Sequence, residues 1–193
     1  MKLHALIAAT MLLAGCISPK SFLDPSYPKV SYEELQKRSS PLKLVLTTQF
    51  QRNGEPLARI DPMLKDSTER ILRASGVIVP ATEGAEGQIR LVVNNIADMT
   101  AARAKGIATG LTLGLAGTTV TDAYEMSVTI TVGARTFTRV AVKHAIHTAV
   151  GNTSTPQGLE TVPPNVAFER VLEQMILRVL KEYQMGADGA AAT

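Results

Sequence analysis

Tyr124-Glu125-Met126-Ser127-Val128-Thr129-Ile130-Thr131-Val132 alternates apolar and polar residues without a break. Period two places the apolar set on one side of an extended chain and the polar set on the other, as in a half-buried strand. Three further segments repeat the pattern. In Leu42–Phe50, Leu42, Leu44, Leu46 and Phe50 oppose Lys43, Thr47 and Gln49. In Gln88–Ala97, Ile89, Leu91 and Val93 oppose Arg90, Val92 and Asn94. In Arg135–Thr148, Val140, Val142, His144 and Ile146 oppose Arg139, Ala141, Lys143 and Ala145. Gly133-Ala134 joins the last two as a tight hairpin. Two helices complete the set. Asp61-Pro62 starts the first and Gly76 stops it, with Leu64, Thr68, Ile71 and Leu72 as its apolar stripe. The second spans about Asn165–Gln184, where Phe168, Val171, Leu172, Met175, Val179 and Leu180 recur at three and four, widened by Ile176 and Leu177. The expected fold is therefore α+β: a two-layer sandwich of about four mainly antiparallel strands, both helices on one face, in the order β-α-β-β-β-α.

The amino terminus has another character. Lys2 precedes an apolar run, Leu3 to Leu13, broken only by His4 and Thr10, and small residues Ala14 and Gly15 follow. That is the plan of a secretory signal, and the run is shorter than the ~20 residues a spanning helix needs. Leu13-Ala14-Gly15-Cys16 resembles the lipobox of bacterial lipoproteins at every position. The resemblance covers residues 1–16. It implies removal of a signal peptide (1–15), diacylglycerol on the Cys16 thiol, and an acylated, palmitate-type amino terminus. Cys16 is the only cysteine, so lipidation also accounts for an unpaired thiol in an exported chain. Residue 17 is Ile, not the Asp of the enterobacterial inner-membrane sorting pattern. The expected location is thus the periplasmic face of the cell outer membrane, held by the lipid. Residues 16–41, with Pro19, Pro25, Pro28 and Pro41, read as a lipidated tether. An arm packed on the domain through Phe22, Leu23 and Tyr27 is the other reading of the same residues. Ser31–Arg38 reads as a short capped helix within it. The domain proper spans 42–185, and 186–193 is read as a disordered tail. In element order alone, the chain is similar to periplasmic α+β lipoproteins such as the lipopolysaccharide-transport lipoprotein and the penicillin-binding-protein activators.

Residues 106–121 carry no charge, and Gly106, Gly110 and Gly114 recur every fourth residue. As a helix they would form one smooth face, as in small-residue packing between helices. As a strand, Ile107, Thr109, Leu111, Leu113 and Leu115 would share a side. Three readings stay open: a glycine-rich loop and strand extension within the fold, a self-association surface, or a membrane-inserting hairpin completed in an oligomer.

Neither a catalytic nor a metal site is expected. His144 and His147 stand at i and i+3, which on a strand sends them to opposite faces. No Gly-x-Ser-x-Gly elbow occurs. No cofactor is implied. A formal charge of +3, with no Trp, argues against nucleic acid. Arg135, Arg139 and Lys143 recur every fourth residue and are expected to form a basic row on the open sheet face, a face for an anionic ligand or partner. The expected function is a non-enzymatic outer-membrane lipoprotein, an accessory or scaffold in an envelope assembly. It would touch an envelope protein or its own copy. The alternatives are a binding module for an anionic envelope glycolipid such as lipopolysaccharide, and a subunit of an oligomeric secretion or pore complex.

Overall fold

The computed structural model describes residues 19–97, 118–151 and 153–191, with side chains through 186. Cys16 and the signal-like segment lie outside the described residues, as do Gly106, Gly110 and Gly114. The elements in chain order are β1 (Lys20–Leu23), β2 (Leu42–Arg52), β3 (Glu55–Pro56), α1 (Asp61–Ser75), β4 (Ile78–Pro80), β5 (Gly87–Ile96), β6 (Thr118–Val132), β7 (Arg135–Val150) and α2 (Pro164–Ala191). The chain is α+β, with two α-helices and a seven-stranded sheet in the order β1-β7-β6-β5-β2-β3, β4 pairing β2 as well.

Strand number and direction differ from the expectation of about four mainly antiparallel strands. β2 pairs with β5, and with β4, in parallel. The reason is the helix between them: α1 carries the chain back along the sheet, so the next strand runs the same way as the last. Phe50 N–H donates to Asp61 Oδ1 at 2.6 Å, fastening the end of β2 to the start of that helix. Gly76 ends α1 at φ 68°, a left-handed conformation open to a residue without Cβ. β3 was not foreseen, although Asn53-Gly54 is a strong hairpin dipeptide. Both of its residues take positive φ, 52° and 85°.

The period-two faces of β2, β5 and β6 are as expected. Leu42, Leu44, Phe50, Ile89, Leu91, Val93, Met126, Val128 and Ile130 are all buried under the helices. α2 adds Phe168, Val171, Leu172, Met175, Ile176, Leu177, Val179 and Leu180 to the same core. Each such side chain contributes roughly 1.5–3 kcal/mol when fully buried. α2 does not stop near Gln184 but continues through Ala191.

Residues 19–41 are not a free spacer. β1 pairs antiparallel with β7, from Lys20 against Ala149 to Leu23 against Ile146. Phe22, Val30 and Leu35 are buried. The arm then runs along α2: Val30 N–H donates to Gln174, Tyr32 Oη–H to Glu173, and Lys181 Nζ to Glu34. The capped helix expected at Ser31–Arg38 is a single 3-10 turn, Tyr32–Glu34, with Ser31 N–H donating to the Glu34 carboxylate.

Candidate functional site

The basic row expected on the open face does not form, because β7 is bulged. Met126 and Val128 are two residues apart on β6, whereas their partners Val142 and Arg139 are three apart on β7. The extra residue resets the parity of everything before it. Ala141 absorbs the kink at φ 57°, and Val140 is left 57% exposed. Arg135, Phe137 and Arg139 therefore oppose Val132, Ile130 and Val128, on the helix side. Lys143 opposes Glu125 on the open side. Arg139 is an ion-pair partner of Glu182 on α2, Nε to Oε2 2.6 Å. Of the expected row only Lys143 remains on the open face, and by register Lys20, Lys43 and Arg90 share that side.

Toward the β6–β7 hairpin that open face has no covering layer among the described residues, whereas at the arm end Phe22, Ala145 and Ala149 on the same side are buried. By register it presents Lys43, Thr47 and Gln49 from β2, Gln88, Arg90 and Asn94 from β5, Glu125, Ser127, Thr129 and Thr131 from β6, and Thr136, Thr138 and Lys143 from β7. None of these is buried. Threonines face one another across the last hairpin, Thr129 with Thr138 and Thr131 with Thr136, each pair 3.4 Å between hydroxyls. Cross-strand polar pairs of this kind steady a solvated sheet surface.

The histidines separate as their spacing implies. His144 is buried on the helix side, where Tyr27 of the arm stacks on it with ring centroids 4.8 Å apart. His144 Nδ1 lies 2.9 Å from the Ala145 N–H, from which it accepts when unprotonated, and 3.2 Å from the Ala145 carbonyl, to which it donates when protonated. Burial holds His144 below its ordinary value, and the Arg178 guanidinium adds to this, against smaller opposing contributions from the Ala145 backbone and Asp24. His147 is on the other face, against Phe22 and 3.3 Å from Asp24. Burial raises the Asp24 carboxyl, but hydrogen bonds from Ser26 and His147 outweigh it and leave the group below its ordinary value. These contacts fasten the arm; nothing in the spacing of the two histidines had indicated Asp24 or Tyr27 as their partners.

At the far end of the sheet, the β6–β7 hairpin and the end of α2 enclose a cleft of about 370 Å³. Leu42, Ile130, Val132, Phe137 and Tyr183 line it, with Arg38 and Arg135 also among the lining residues. Phe137 and Tyr183 meet edge to face at 5.5 Å. The bulge makes this cleft, by turning the first half of β7 toward the helices with two arginines among its inward residues. The sequence carried one sign of it: Phe137 has the same parity as Arg135 and Arg139, an aromatic residue in the middle of a supposed solvated row.

No protein-family model matches the chain, and no curated protein matches its sequence.

Proposed function

We propose that this chain is a non-enzymatic lipoprotein of the bacterial envelope. Lipid on Cys16 holds it at the outer membrane, and its open sheet face meets an envelope partner. The observation that carries this reading is the docked arm. Lys20, four residues beyond Cys16, is already paired with Ala149, and Ala149 with Thr119. At about 3.6 Å per extended residue, the chain between Cys16 and Lys20 reaches ~14 Å at most. A lipid on Cys16 would therefore hold the domain close to the bilayer and by one end of its sheet. β6 begins at that same end, directly after the uncharged residues 106–117. This supports a membrane-side role for that segment.

The test has two parts. Cys16→Ser should move the protein from the membrane to the soluble fraction of lysed cells and abolish incorporation of labelled palmitate. Photo-crosslinking residues placed at Thr129 or Arg90 in living cells should capture one envelope protein that Glu169, on the helix side, does not. Membrane retention of Cys16→Ser, or equal capture from both faces, would overturn the reading.

A further inference from the structure

We propose that the cleft between the β6–β7 hairpin and α2 is a binding site for a single-chain anionic amphiphile, a carboxylate or phosphate head on an acyl body. This inference rests on neither the lipid anchor nor the open face.

Three observations meet there. The first is size: about 370 Å³ lies within the range of small-ligand pockets, ~300–1,000 Å³. The second is the lining. Leu42 and Ile130 are buried at its floor, and Val132, Phe137 and Tyr183 are half-buried around it. A surface of this kind is suited to an apolar body, not to a sugar or a bare ion. The third is charge. Arg38 and Arg135 are among its lining residues, and no Asp or Glu is among the described ones. The nearby basic residue Arg139 already has its carboxylate in Glu182. Arg38 Nε–H donates to the Ser40 carbonyl at 3.3 Å, and neither Arg38 nor Arg135 has an ion-pair partner among the described residues. Guanidinium groups in the lining of an apolar cleft offer forked donors to a carboxylate or phosphate, a geometry arginine meets better than lysine. A neutral amphiphile would gain nothing from their charge.

Gly186 supplies a clean way to block the site. It lines the cleft, and a Cβ built there would meet nothing within 4 Å. Gly186→Phe should fill the opening without straining the fold. Arg38→Glu and Arg135→Glu change exposed residues only.

The experiment uses the full chain, purified in a neutral glycoside detergent and exposed to a photoreactive diazirine analogue of dodecanoic acid. Adducts are located by mass spectrometry, and circular dichroism confirms that each variant is folded. Labelling is expected on Phe137 and Tyr183. Each arginine reversal should reduce it by about tenfold, and Gly186→Phe should abolish it. The matching diazirine dodecanol should not label there. The proposal is overturned if the alcohol labels equally, or if folded reversal variants label as well as the parent. It is overturned too if only diacyl phosphatidylglycerol in vesicles labels the cleft. Labelling that appears only after residues 187–193 are removed would show the chain's own end to be the occupant, and would also overturn it.

Discussion

Ala141 is a single residue on which the placement of Arg135 and Arg139 turns. It holds φ 57°, where an L side chain other than Gly is strained by about 1–2 kcal/mol. Gly at this position removes that strain but adds about 0.4–1 kcal/mol of freedom to the unfolded chain. Ala141→Gly should therefore stabilise the protein by about 0.5–1 kcal/mol, read as a higher urea midpoint at unchanged slope. Ala141→Val should do the reverse, because a β-branched residue is still less suited to positive φ. If both variants matched the parent, the kink would not sit at residue 141. His144 gives the second residue-scale prediction. Its folded value lies below the unfolded 6.5, so the unfolded chain binds the proton first as pH falls. Its contribution is intact well above pH 6.5 and is lost as pH drops from there toward the folded value. Urea midpoints should fall on acidification through that window, and His144→Phe, which can still stack on Tyr27, should flatten the fall. An unchanged slope in the variant would reject a buried neutral His144. The inward placement of His144 was legible from period two alone. That of Arg135 was not. A one-residue insertion reverses every side chain before it, and no glycine marks the spot.

At the scale of elements, strands with one clean apolar face announced themselves, and so did the helices with wide stripes. β1, β3 and β4 did not, being four, two and three residues long. Segments so short carry too few alternations to show a period, and their place depends on what lies beside them. The arm's sequence admits two readings because its prolines suit an extended linker, while Phe22 and Leu23 suit a packed strand. Packing prevails because β1 caps the edge of β7 and buries Phe22. Phe22→Ala should cost about 3 kcal/mol, as for other buried aromatic truncations, and should expose residues 19–30 to limited proteolysis before the rest of the domain. Loss of that size without arm cleavage would mean that Phe22 supports the sheet but not the arm. Gly87 opens β5 where the β6 backbone approaches closely. A Cβ there would overlap the Thr131 carbonyl oxygen of β6, backbone that can move only by disturbing the ladder. Gly87→Ala is expected to cost ~2–3 kcal/mol by chemical denaturation, more than a methyl usually does. A neutral result would show that the β5–β6 register relaxes at its end.

For the whole molecule, the consequence of a docked arm is a fixed attitude to any membrane that holds Cys16. Lys20, Ala149 and Thr119 mark one end of the sheet; Arg135 and Thr136 mark the other. Fourteen residue steps of β7 separate Ala149 from Arg135, about 46 Å at 3.3 Å per residue. A long flexible tether would average this difference away, whereas four residues cannot. Because Cys16 is the only cysteine and its sulfur would carry lipid, one added cysteine can be spin-labelled without interference. In neutral phosphatidylcholine vesicles, a nitroxide at Thr119→Cys should relax with dissolved oxygen as a lipid-proximal group does. One at Thr136→Cys should relax with a water-soluble nickel chelate. Inserting ten Gly-Ser residues after Cys16 should erase the contrast, since such a chain spans ~16–19 Å on average and turns freely. Equal oxygen access at the two labels in the uninserted protein would mean that the arm does not orient the domain. The open Thr-rich face would then have no fixed direction in which to meet a partner.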